Sequence, residues 1–548
     1  MFSVSPLFSN DCVLQRGKII TVFGEGSDGL EVQAVLKNKD GVITAKNKTI
    51  ARNGKWRLYL EEQQAMTGAT LVVSCRESKR VFYNIAIGEV WLAGGQSNME
   101  FELGNSKEGP IELENETIPN VRFFYTKKNS WMDKKFYEEE RYNSWQVWGS
   151  EEAHEWSAVG YFFAKKLARD LGVTVGIIGC NKGGTSASCW LSREALGEDT
   201  GLSSYLAEYE EAVGKKSEEQ QIKEFDKYEK AQAVWDKKYA ELQKEDAGIT
   251  WEKAEKKIGK NPWPGPMCCK NPNRPTGLFQ SMVARTAPYT IRGVIFYQGE
   301  SDDNKPQLYY RLFSKLIDCW RRLWADDTLP FVFVQLPMHR YEGDRDFKNW
   351  CLIREAQEKV ASTVRNTTLA SALDQGQYND IHPKAKKILG ERMEVSALDL
   401  VYRQIRKEEA VSPSLKNSLA EDDKMFLTFN NAVEGFFFKK DEDELFHYIQ
   451  LENMVGNQVP EDFSGFEIAG PDGVYHPAKV EEVEGHTDRL VLTSDKVTQA
   501  VSARYAWYNY GPVTVFGKNG MPLLPFRTDK DEDGESTGHA DIRQVMTV

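Results

Sequence analysis

Ser97 stands in Gly94-Gly95-Gln96-Ser97-Asn98-Met99-Glu100, directly after an apolar run. A serine where a strand gives way to a helix is exposed and lies near unpaired backbone N–H groups. The preceding glycines let a reactant approach closely. Such a residue suits a nucleophile whose own N–H also stabilises an oxyanion. The same position equally suits a serine that only caps a helix. Ser97 is not set in a Gly-x-Ser-x-Gly elbow, which argues against the α/β-hydrolase arrangement.

Two further apolar runs end in residues of matching chemistry. Gly179-Cys180-Asn181-Lys182-Gly183-Gly184-Thr185-Ser186 offers paired glycines whose backbone N–H groups face a cleft, or form a plain tight turn. Tyr297-Gln298-Gly299-Glu300-Ser301-Asp302 offers a Gln298 amide as an oxyanion donor, or a polar helix-capping cluster. A serine nucleophile needs a base, and the chain has seven histidines. Of those in the central region, His154 starts a helix and His339 lies in a charged loop; both read as surface residues. His382 sits in Asn379-Asp380-Ile381-His382-Pro383, with a carboxylate close enough to orient an imidazole. Nucleophile, N–H donor, amide donor and base each follow a different apolar run, which is the strongest sign that they converge.

The elements that position them follow from the hydrophobic period. Residues 85–410 alternate continuous apolar runs of strand length (85–93, 173–179, 291–297, 331–336 and 367–373) with amphipathic stretches such as 156–171 and 307–324. Buried parallel strands have this character because helices cover both faces. The expected fold is α/β, an open parallel sheet with helices on both faces, and its ligands sit beyond the carboxyl ends of the strands. A helical insertion over 203–275 interrupts it, with Ser217 and Gln220 forming a candidate capping box. Residues 1–84 and 411–548 read as antiparallel β domains, rich in short strands and turns such as Asn53-Gly54. The acidic segment 528–538 reads as irregular.

The 548 residues exceed what one core sustains, so several units are expected. With 82 acidic against 70 basic residues the net charge is −12, and no basic cluster offers a surface for nucleic acid. No apolar run spans a membrane. The N-terminus lacks the features of a secretory signal, and the eight cysteines show neither zinc nor simple disulfide spacing, so reduced thiols and a cytoplasmic location are expected.

Gly95-Gln96-Ser97-Asn98-Met99, Gly183-Gly184-Thr185, Tyr297-Gln298-Gly299-Glu300-Ser301-Asp302 and Asp380-Ile381-His382-Pro383 resemble the blocks of SGNH-type esterases. Within that superfamily the chain most resembles the sialate O-acetylesterase family. Both flanks contribute, through Asn10-Asp11-Cys12-Val13-Leu14-Gln15 and Gly520-Met521-Pro522-Leu523-Leu524-Pro525-Phe526-Arg527. The resemblance implies an SGNH-hydrolase-like fold, Ser97 as nucleophile and His382 as general base. It implies an oxyanion hole of the Ser97 N–H, Gly184 or Gly183, and Gln298. The superfamily's last block is Asp-x-x-His, and here Asn379 takes the position of that aspartate. Asp380, Asp374 or a backbone carbonyl is then left to orient His382. Glu300 and Asp302 are expected to support the loop. The implied reaction removes acetyl from a sugar, most readily O-acetylated sialic acid, with acetylated xylan fragments as the other substrate class. It needs no metal or organic cofactor.

Overall fold

One long strand, Lys79–Gly95, organises the molecule. A computed structural model describes residues 2–114, 120–149, 151–246, 249, 251–341, 346–439 and 463–529. In its first half the long strand pairs antiparallel with Met66–Cys75. From Ile85 onward it is continuously buried, and from Trp91 it lies parallel between Val175–Asn181 and Gly293–Tyr297. The expected boundary at 84/85 therefore falls inside an unbroken strand, with the N-terminal β region and the parallel sheet sharing it.

Across the central sheet the strands run Gln146–Val147, Val121–Tyr125, Val175–Asn181, Lys79–Gly95, Gly293–Tyr297, Phe331–Gln335 and Thr367–Ser371. All but the first are parallel. The five expected strands are present, and Val121–Tyr125 is an additional one that sequence reading missed. Its apolar run is short and interrupted by Arg122, whose guanidinium donates to the Asp11 and Asn84 carbonyls. The chain starts at the middle strand, adds three strands on one side, the outermost of them antiparallel, and then three on the other. That reversal opens a crevice at the carboxyl end of Lys79–Gly95, where Ser97 follows.

Helices Ala158–Leu171 and Lys386–Leu400 pack against each other, as do Pro306–Trp324 and Asn349–Thr363. Ala158–Leu171 begins at a Ser157 cap that accepts from the Gly160 N–H, and it ends at Gly172 with φ 65°. Trp91, Trp156, Trp190 and Trp320 are fully buried, so much of the aromatic content serves the core.

The insertion forms helices Ser203–Val213, Glu218–Glu245 and Trp251–Ile258. Ser217 and Gln220 make the expected reciprocal capping box. Trp235, Ile249 and Ala254 give the insertion a small core of its own. The C-terminal region builds two four-stranded antiparallel sheets around Leu427, Phe429, Phe466, Tyr505 and Phe526. Met338 and Leu373 from the loops of the parallel sheet enter that same core, so the C-terminal region buttresses the site end. The acidic C-terminal segment lies outside the described residues from 530 onward.

Candidate active site

The register of the parallel strands sets the site. Gly95 is level with Asn181 on one neighbour and Tyr297 on the other, so all three strand ends finish in one row. Gly95 adopts φ 137°, and a Cβ there would lie 2.0 Å from the Tyr297 carbonyl oxygen. Only glycine permits this approach. The Gln96 N–H then donates to the Tyr297 carbonyl and the Lys182 N–H to that of Gly95, which locks the three turns together.

Ser97 opens the short helix Ser97–Glu100 and is half-buried. Its Oγ lies 2.8 Å from His382 Nε2, across 285 residues of chain. Asp380 Oδ1 accepts the His382 backbone N–H at 2.9 Å and so fixes the loop that carries the imidazole. Burial, followed by the nearby Lys386 ammonium, pushes the His382 pKa below its ordinary 6.5, while the Asp380 carboxylate opposes the shift. The imidazole therefore stays unprotonated, able to accept a proton, through neutral pH.

Asp374 is placed for a different task. Both of its carboxylate oxygens accept from Arg392, at 2.6 and 2.8 Å, so it is a structural ion-pair partner on helix Lys386–Leu400. Asn379 is exposed at φ 61°.

The expected oxyanion donors divide. Gln298 is 1% exposed, and its amide donates to Asp302, the Thr185 carbonyl and Gln96 Oε1. Its own Oε1 accepts from Tyr309 at 2.9 Å. In this structure protein acceptors take the N–H groups of that amide, which ties the turns together. The Gly183 N–H donates to Glu100 Oε2, and a Cβ there would lie 3.3 Å from that of Ser97. Gly184 is exposed at φ 68°, with open space where a Cβ would stand. Asp302 accepts from Gln298, Ser186 and the Ala187 N–H, which ties the second turn to the third.

Three residues matter more than the sequence suggested. Asn98 is fully buried, donating to Glu300 at 2.6 Å and to the Ile381 carbonyl at 2.9 Å, and accepting from Lys386. Lys386 is also fully buried, and burial pushes its pKa down to about 7. Burial pushes Glu300 up to about 7. The signal available in the sequence was position: Asn98 adjoins Ser97, and Lys386 lies four residues after His382. His339, read from sequence as a surface residue, is 3% exposed. It packs against Tyr341 and Trp350, and its burial holds it neutral, with a pKa of about 4. Its loop is covered by the C-terminal region, through the Asn509 carbonyl that accepts the His339 N–H. His154 is exposed, as expected.

A surface groove of about 1540 Å³ lies away from these residues. It runs between the N-terminal strands and the 134–143 segment. The constellation at Ser97 is defined by its side-chain geometry.

The sequence model of a family described as carbohydrate esterase, sialic acid-specific acetylesterase, matches residues 87–231 and 265–399, just over half of the chain. This chain belongs to that family. It is a carboxylic ester hydrolase of the carbohydrate acetylesterase type. The matched residues include Ser97, Gly183, Gly184, Gln298, Glu300, Asp380, His382 and Lys386, and they leave out 232–264 within the helical insertion. The chain is 22% identical to the sialate O-acetylesterase of Mus musculus over 466 residues, covering 79% of this chain and 80% of that one. It is 22% identical to the sialate O-acetylesterase of Homo sapiens over 445 residues, covering 73% and 71%. Among solved structures it is similar to a carbohydrate acetylesterase from Xanthomonas citri, with a TM-score of 0.71 at 24% identity. That match covers 96% of this chain and 99% of the other, so the fold is shared from end to end, β regions included.

Proposed function

We propose that this esterase removes O-acetyl groups from sugars by a two-step acetyl-enzyme mechanism, with Ser97 as nucleophile, His382 as base and O-acetylated sialic acid as substrate. The carrying observation is the 2.8 Å contact between Ser97 Oγ and His382 Nε2. His382 takes the Ser97 proton as Oγ attacks the acetyl carbonyl, and then gives it to the departing sugar alcohol. Water, activated by the same imidazole, attacks the acetyl-enzyme and releases acetate. Asp380 lies on the histidine loop and favours the imidazolium that forms. The Ser97 and Gly184 backbone N–H groups are the donors for the tetrahedral oxyanion, where one donor is typically worth about 2.7–4 kcal/mol.

The family match and the sialate O-acetylesterases among the relatives favour sialate as the sugar. Acetylated xylo-oligosaccharides are the competing substrate class, since the acyl side of the site serves both. Acetate release from 9-O-acetylated sialic acid and from acetylated xylo-oligosaccharides, compared as kcat/KM, separates them. Ser97→Ala is expected to lower either rate by at least about 10⁴-fold, as loss of a triad nucleophile does. Unchanged acetate release by Ser97→Ala overturns the mechanism.

A further inference from the structure

A buried cation lies behind the catalytic pair, and the two-step chemistry above gives it no task. Lys386 begins helix Lys386–Leu400, is fully buried and donates to Asn98 Oδ1. Its ammonium sits 4.9 Å from the ring centre of Phe101 and 5.5 Å from that of Tyr297. Phe101 also packs against the His382 ring, with centroids 6.5 Å apart. The other side of Asn98 donates to Glu300 and to the carbonyl of Ile381, the residue before the base. Glu300 Oε2 is buried with no hydrogen-bond partner among the described residues. Burying a lysine and a glutamate this deeply is costly, and apolar side chains of equal volume commonly fill such space at no loss of stability.

We propose that Lys386 is a positioning residue for the Ser97–His382 pair: through Asn98 its ammonium holds the nucleophile turn against the histidine loop. Asn98 supplies the adjacency, since it follows Ser97 directly and grips the residue preceding His382. Lys386 fixes which way the Asn98 amide points, because an ammonium can only donate and so must meet Oδ1. The Asn98 Nδ2 is thereby aimed at Ile381 and Glu300. The inference rests on Ser97 and His382 acting as proposed above.

Charge gives the arrangement a second effect. The charged or titratable groups around His382 are Lys386 on the helix, Asp380 on its own loop, His339 on the loop after Phe331–Gln335, and Glu300 across Asn98. In the acid range where His382 titrates, below 6.5, Lys386 is protonated, Glu300 carries its proton and His339 is still neutral. The nearby positive charge then disfavours the imidazolium, and only Asp380 opposes it. Lys386 so extends the proton-accepting form of His382 to lower pH.

The test uses the full chain with p-nitrophenyl acetate, comparing wild type, Lys386→Met and Asn98→Ala by kcat, KM and the pH dependence of kcat/KM. Lys386→Met should lower kcat by up to about 10²-fold with KM changed little, as slight misplacement of reacting groups does. Its acidic limb should move up by about one pH unit, the effect of removing one nearby charge. Asn98→Ala should lower kcat similarly while moving the limb less, because the cation remains. A Lys386→Met protein with lower thermal stability but unchanged kcat and an unmoved limb overturns the proposal. If Lys386→Met does not fold, Asn98→Ala with unchanged kcat overturns it instead. Failure of the catalytic reading itself is seen separately, as activity retained by Ser97→Ala.

Discussion

Asn98, the residue after Ser97, donates to the carbonyl of Ile381, the residue before His382, at 2.9 Å. One buried amide thus joins two loops that lie 283 residues apart in the chain. Ser97 and His382 are held by their immediate neighbours as well as by their own contact, so their relative placement is built into the folded chain. The consequences can be measured.

The acidic limb of kcat/KM should lie below pH 6.5. Burial and the Lys386 charge push the His382 pKa down from that value, so the free enzyme keeps a neutral base into mildly acidic solution. A pH profile on p-nitrophenyl acetate checks this, and a limb at or above 6.5 contradicts it.

Asp380 and Asp374 should part company on substitution. Asp380→Asn removes the carboxylate that favours imidazolium and should lower kcat by about 10-fold or more, with little change in thermal stability. Asp374→Asn breaks a largely buried bidentate pair with Arg392 and should cost about 3 kcal/mol of stability. Thermal melts and kcat on both variants decide the assignment, and the reverse pattern would make Asp374 the catalytic partner.

Gln298→Leu tests whether that amide braces or catalyses. Its N–H groups meet Asp302, Thr185 and Gln96, so the substitution should cost about 1–3 kcal/mol through unsatisfied buried acceptors. A fall in kcat of about 10²–10³-fold at unchanged stability would instead show the amide acting on the oxyanion.

Glu89 should govern stability in acid. It is fully buried on the long strand; burial alone would raise its pKa, but Arg292, Arg16 and Gln15 hold it below the ordinary 4.5. A depressed carboxylate stabilises the fold above its unfolded pKa and loses that contribution as pH falls through the folded one. Wild type should therefore lose stability below pH 4.5. Glu89→Gln should be less stable by about 3 kcal/mol at neutral pH and lack that acid dependence. Chemical denaturation at several pH values measures both. An unchanged midpoint would mean that the N-terminal segment is tied to the core by packing alone.

Much of this was legible in the chain. Apolar runs of strand length gave five of the parallel strands, because a strand buried on both faces has no polar side to interrupt its pattern. Ser97 and His382 were legible because each follows such a run. Val121–Tyr125 was not, since a buried arginine breaks its pattern, and the partners that satisfy Arg122 come from distant segments. The continuity of Lys79–Gly95 was hidden as well. Its first half is exposed or half-buried, its second half is continuously buried and apolar but for Glu89, and composition reads the change as a boundary.

Sequence by itself determined the residue types, their order along the chain and the strand ends that carry them, and those sufficed to point to the family and to the proposed nucleophile and base. Tertiary structure alone decided which polar groups are already spoken for. Gln298 and Asp374 have the right chemistry, yet Asp302 and Arg392 occupy them. His339 looked like a surface residue and is buried, and so is Lys386, which the sequence did not single out. The physical reason is that a polar group's role depends on its partners and its dielectric surroundings, and both are fixed by contacts between residues hundreds of positions apart.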